Sequence, residues 1–137
     1  MKRLQIFGST PSPYTQKILS LLRYRRIPYD VHWGQTQKRL EEQGIELPKP
    51  VLLPVILFEN EDNKMIATTD STPIIRRLES DYNVRQVVPN DPALSFINYL
   101  LEDFADEWLT KYMFHYRWHF DKYISIAGVI LTLLEFV

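Results

Sequence analysis

Ser12-Pro13-Tyr14-Thr15 constrains this chain more than any other stretch, because of what flanks it. Leu4-Gln5-Ile6-Phe7 is a short apolar run that ends in Gly8-Ser9-Thr10-Pro11, so a strand is expected to stop in a tight loop. Pro13 suits a first helical position, where its missing N–H costs nothing, and Ser12 suits the cap before it. Tyr14, Ile18, Leu21, Leu22 and Arg25 then recur at helical spacing. A strand passing through a short loop into a helix gathers backbone N–H groups and the positive end of a helix dipole at one small volume. A thiolate is stabilised in such a field. The chain has no cysteine, so the thiolate has to arrive on a ligand. The expectation is a thiol-bearing small molecule, not a dithiol within the protein.

The 137 residues suffice for one compact domain, or for a small domain with part of a second. Hydrophobic residues make up 45% and aromatics 13%, enough for a packed core and against a disordered chain. A net charge of −1 provides no global field to recruit nucleic acid or an anionic membrane. Without cysteine there is no disulfide scaffold, thiolate zinc site or Cys-x-x-Cys pair. Met1-Lys2-Arg3-Leu4 enters a strand without the apolar core of a secretory signal, so the expected compartment is the cytoplasm. The apolar stretch 123–137 falls short of the roughly 20 residues that span a bilayer. It reads as a buried or interface helix, or as one without its packing partner.

The remaining pattern is punctuated clearly. Residues 27–33 read as a second strand, and 36–43 as a short helix closed by Gly44. Leu47-Pro48-Lys49-Pro50 is a loop, Val55-Ile56-Leu57-Phe58 the strongest strand, and 60–64 a hairpin turn into Met65-Ile66-Ala67. Asp70-Ser71-Thr72-Pro73 opens a helix through Ile74, Ile75 and Leu78. The order βαβ, α, ββα implies an α/β fold with a small mixed sheet covered by helices. A stiff segment, 83–92, is the expected linker between a domain at 1–82 and a partial all-helical domain at 93–137. In the latter, Ile97, Leu101, Phe104, Trp108 and Tyr112 keep helical steps.

Three motifs in this order resemble the glutathione transferase family. Ser12-Pro13-Tyr14 is similar to the serine-proline-aromatic start of the first helix in serine-type members. Leu53-Pro54-Val55, before a strong strand, is similar to the family's cis-proline, whose neighbour's backbone pairs with the cysteinyl part of glutathione. Asp70-Ser71 is similar to the acidic-serine pair that holds the γ-glutamyl group. The resemblance covers about residues 2–80, as a thioredoxin-like glutathione-binding domain. It also covers 93–122, as the first long helix of the second domain. It implies glutathione as co-substrate, a small electrophile, Ser12 as thiolate donor, and Ser12, Leu53, Pro54, Asp70 and Ser71 as the binding set. Lys38, Arg39 and Lys49 are lesser candidates for the glycyl carboxylate.

The residues themselves leave alternatives open. Ser12 is equally a helix N-cap, and a hydroxyl can accept one bond while donating another. Ser9 and Thr10 are fallback donors. Phe7 stands where tyrosine-type relatives carry their hydroxyl, which argues against that mechanism. Asp70 and Ser71 are also a capping pair, although Asp70 can neutralise an α-ammonium while Ser71 holds an α-carboxylate. His115 and His119 share a helix face without a third ligand, so no metal is expected. Trp108, Tyr112, Tyr116 and Trp118 read as core, or by resemblance as the border of the electrophile's cleft.

Family members continue through further helices after the one ending near Asp121, and 123–137 does not resemble that continuation. It reads as an altered C-terminus, a truncated reading frame or a divergent short form. An apolar stripe of this size implies association, expected as a homodimer. Three functions follow: a transferase, a glutathione-binding module without turnover, or an interaction domain that uses the fold as a scaffold.

Overall fold

A computed structural model describes the backbone of residues 3–136 and the side chains of residues 3–132. The expectations for residues 1–2 and for the last apolar side chains, 133–137, lie outside the described residues. The chain forms two compact units, one built on the residues up to Arg85 and the other on Gln86–Leu133.

The first unit runs β1 (Leu4–Gly8), α1 (Pro13–Arg25), β2 (Tyr29–Trp33), α2 (Thr36–Glu42), β3 (Val55–Glu59), β4 (Met65–Thr68) and α3 (Ser71–Asp81). The sheet order is β2-β1-β3-β4. β1 and β2 are parallel, and the β1–β3 and β3–β4 pairs are antiparallel. This is the mixed sheet that the βαβ and ββα order implies, and its elements fall within a few residues of the expected bounds. The helix closures are local. Arg26 turns left-handed after α1, and Gly44, with φ of 67°, does so after α2.

Strand alternation divides the core. Phe7, Val55, Leu57 and Ala67 pack with Leu40 of α2, and Ile45, Leu47, Leu53 and Met65 close that cluster from the side. Ile6 and Ile56, opposite each other in the β1–β3 register, are fully buried. The buried stripes of α1 (Ile18, Leu19, Leu22) and α3 (Ile74, Ile75, Leu78) belong to helices that pack together. Edge strand β2 is held by a polar ladder. Arg3 Nε donates to Asp30 Oδ1 at 2.7 Å, and Gln5 Nε2 donates to Asp30 Oδ2 at 3.2 Å. Gln5 Oε1 therefore accepts from His32 Nε2, 2.6 Å away. The hydrogen bond from Arg3 holds the Asp30 carboxyl below the usual range.

The second unit is helical. Asp91 caps α4 (Pro92–Asp103) by accepting from Leu94 N–H at 2.9 Å. A π-helical stretch, Phe104–Leu109, continues into α5 (Thr110–Trp118), and α6 spans Asp121–Phe136. The aromatic stripe is not core. Trp108, Tyr112, Tyr116 and Trp118 are 59%, 61%, 60% and 45% exposed, and no residue of α4, the π stretch or α5 is buried. Helical periodicity shows that side chains share a face but not that anything covers it. Among the described residues no helix is long and apolar enough to cross a membrane, and no cluster of three acidic, His or Cys residues is arranged for a metal.

Candidate functional site

The sheet register brings the predicted residues to one end. Phe7, the penultimate residue of β1, pairs with Val55, the first of β3, and Ile56 pairs with Thr68, the last of β4. The exits of β1 and β4 and the entry of β3 therefore share a sheet edge. From that edge Ser12, Pro54 and Asp70-Ser71 follow within a few residues. This is also the carboxyl end of the parallel pair, where open α/β sheets place ligands.

Ser12 is the N-cap of α1. Its Oγ accepts from Thr15 N–H at 3.2 Å, and its backbone N–H closes a turn on Ser9 O at 3.1 Å. Capping uses the hydroxyl only as acceptor, so its own proton is left for a second bond. Thr10 is exposed, and its carbonyl accepts from Gln16 Nε2 at 3.0 Å, which ties the loop to α1. The loop is tight at its root. A Cβ on Gly8 would lie 2.5 Å from Thr15 Cγ2 and 2.8 Å from its Oγ1. Thr15 is fully buried, and its Oγ1 has no hydrogen-bond partner among the described residues. Gly8→Ala is therefore expected to destabilise by about 1–3 kcal/mol. Thr15→Ala in the same chain should relieve much of that loss. Urea unfolding of both single variants and the double variant checks this, and strictly additive losses would refute the contact.

The Leu53–Pro54 bond is cis, and Pro54 is buried directly before β3. Leu53, half-buried, packs against the Phe7 cluster. Asp70 caps α3 by accepting from Thr72 N–H at 3.1 Å, and has φ 72° and ψ 130°. A non-glycine residue with positive φ is strained, and such strain gathers at ligand clamps. Asp70 is exposed, whereas Ser71 behind it is only 2% exposed.

One contact of Ser71 was not legible locally. Lys17 Nζ, on α1, donates to Ser71 Oγ at 3.0 Å across 54 positions of sequence. In the sequence Lys17 is only a polar member of a helical stripe. Only the packing of α1 on α3 brings it to the pair. Of the lesser candidates, Lys38 and Lys49 are exposed on other segments. Arg39 has a buried Nε without a hydrogen-bond partner among the described residues.

Comparison with known proteins bears on the family and the fold. The family model of the glutathione S-transferase N-terminal domain matches residues 6–87, more than half of the chain. No curated protein matches in sequence. Among solved structures, a glutathione S-transferase from Methylobacterium radiotolerans, in complex with glutathione sulfonate, matches with TM-score 0.59 and 22% identity, covering 77% of this chain and 47% of that one. A maleylacetoacetate isomerase from Anaeromyxobacter dehalogenans, with dicarboxyethyl glutathione and citrate bound in its active site, matches with TM-score 0.61 and 14% identity. It covers 95% of this chain and 60% of that one. The chain thus spans less than two thirds of the length of either neighbour. With that domain matched over the mixed four-stranded sheet, the chain belongs to the glutathione S-transferase family and carries its thioredoxin-like N-terminal domain.

Proposed function

We infer that this chain binds glutathione at the sheet edge marked by Ser12, Leu53-Pro54 and Asp70-Ser71, and activates its thiol toward a small electrophile. The observation that carries the reading is the Ser12 hydroxyl. It accepts the helix-capping bond at the start of α1 and retains a proton to donate, at the sheet end it shares with Pro54 and Asp70. The glutathione derivatives bound by the two structural neighbours support the same ligand class. Free thiols have pKa near ~8.5, so a hydrogen bond donated to sulfur and the positive helix end both favour ionisation at neutral pH. The thiol proton passes to solvent. The thiolate then forms a carbon–sulfur bond to the electrophile, whose leaving group departs with the bonding electrons. Asp70 supplies the carboxylate for the α-ammonium of the γ-glutamyl end.

Calorimetric titration with reduced glutathione tests the binding half. Micromolar to millimolar affinity is expected, weakened about 10- to 100-fold in Asp70→Ala, the range of a hydrogen bond to a charged group. No heat at millimolar ligand from folded protein would leave the interaction-domain reading. Binding without turnover of an activated aryl chloride would leave a glutathione-binding module.

Self-association belongs to the same proposal. Leu94, Phe96, Ile97, Leu101, Phe104 and Trp108 are all exposed along consecutive turns of the second unit. Apolar surface on that scale marks a contact site. Sedimentation velocity at micromolar concentration is expected to show a homodimer, and a monomer would refute it.

A further inference from the structure

We propose a second ligand site in the first unit, at the end of the sheet opposite Ser12, Pro54 and Asp70. It takes a small organic carboxylate with an apolar ring on the guanidinium of Arg77, with Arg3 as a further donor. A cleft of about 420 Å³ lies there, between the start of β1, the end of β3 and the last turn of α3. That volume is in the range of small-ligand pockets. Leu4, Leu57 and Phe58 give it an apolar floor that belongs to the buried core. The donors at this floor are already oriented. Arg77 Nε donates to Asp81 Oδ2 at 2.9 Å and Nη2 to Glu59 O at 3.2 Å, and Cζ lies 5.2 Å from the centroid of the Phe58 ring. Arg3 uses Nε on Asp30 and Nη2 on the Tyr29 carbonyl. Continuing the β1–β3 register past Gln5 and Leu57 sets Arg3 opposite Glu59, whose carbonyl holds Arg77. Each guanidinium is thus fixed through Nε and Nη2 and keeps its Nη1 protons for a ligand. The Asp81 carboxylate in the same lining is committed, to Arg77 and to Ser80 Oγ at 3.2 Å. Glu59 is exposed, where water screens its charge. Burial, with Asp81 beside it, pushes the pKa of the Tyr82 phenol up, so this half-buried lining residue is uncharged at neutral pH. Fixed guanidinium donors over an apolar floor fit a carboxylate carried on a ring: the donors hold the oxygens, and the ring covers Leu4 and Phe58.

The test titrates the full chain with 3-phenylpropionate, its neutral amide and the cationic 3-phenylpropylamine, followed by amide nitrogen–proton correlation spectra. The acid should shift the amides of Leu4, Phe58 and Arg77 and leave those of Ser12, Asp70 and Ser71 in place. It should bind about tenfold or more tightly than the amide, as expected for a charge-assisted hydrogen bond, and more tightly still than the amine. Arg77→Met should remove most of the preference for the acid over the amide, and Arg77→Lys should restore part of it. Arg3→Met should reduce the same preference by a smaller factor. The dispersion of the spectra shows that each variant is folded, and should Arg77→Met fold poorly, Arg77→Gln decides on the same criterion. Equal binding of acid and amide, or tighter binding of the amine, would overturn the proposal. So would shifts confined to α4–α6, displacement of the acid by glutathione, or no binding at millimolar acid.

Discussion

Arg25→Ala is expected to lower the stability of the first unit by about 3–5 kcal/mol, the range for breaking a buried ion pair. At the sensitivity of a domain of this size that is a fall of roughly 12 °C or more in Tm. The Arg25 side chain is completely buried at the end of α1. Its Nη1 lies 2.8 Å from Glu79 Oε1, close enough for an ion pair, though without the angle of a hydrogen bond. Its Nε donates to Val84 O at 3.2 Å and its Nη2 to Tyr82 O. One guanidinium therefore ties α1 to the last turns of α3 and to the segment that follows. Truncation takes the donor from two carbonyls and the counter-charge from Glu79, which is only 13% exposed. Arg25→Lys should recover little, because one ammonium cannot reproduce the planar fork toward three acceptors. Arg25→Met with Glu79→Leu should be more stable than either single variant, since replacing both charges removes the desolvation cost. Urea unfolding at low and high salt checks this. A loss below about 1 kcal/mol that also shrinks with salt would mean that the pair behaves as a surface one.

Arg25 also shows where the sequence stops being informative. The strands and helices of the first unit have local causes: Gly8 and Pro13 around a loop, a continuous apolar run in Val55–Phe58, Asp70 capping α3. Such signals act over a few residues and can be read one segment at a time. The grouping of Ser12, Pro54 and Asp70 was an expectation of the family resemblance that three motifs in order carry, not of any one segment. The contacts Arg25–Glu79 and Lys17–Ser71 join positions 54 residues apart, and neither has a local signature. Sequence shows a basic residue on a helix in both cases. It does not show that one is sealed in the core and the other reaches a neighbouring helix cap. In the second unit the limit is different. Trp108, Tyr112 and Tyr116 were legible as one helical face, but a period of 3.6 residues is the same for a covered face and a bare one.

Ser12→Ala is expected to reduce kcat with glutathione and an activated aryl chloride by about 10²–10³-fold, as for removal of a single anion-stabilising donor. It should cost only about 1 kcal/mol of stability, the usual loss of a helix cap. The two effects arise from one oxygen that accepts from Thr15 N–H while its proton serves the sulfur, so a single substitution cannot separate them. Ser12→Gly can, because glycine at an N-cap costs only a few tenths of a kcal/mol yet carries no hydroxyl. If the hydroxyl acts on the thiolate, the Gly variant recovers stability and remains as slow as the Ala variant. If Ser12 is only a cap, the Gly variant recovers both. The pH profile supplies the sign. A donor to the charged form lowers the thiol pKa, so removing it should move the rising limb of the rate toward alkaline pH in both variants. Ser12→Asp sharpens the contrast, since aspartate caps as well as serine but places a negative charge beside the sulfur. It should fold at least as stably as wild type and show the largest alkaline displacement of the three. An unmoved limb in Ser12→Asp would place the thiol away from α1, and Ser9 and Thr10 would become the donors to test next.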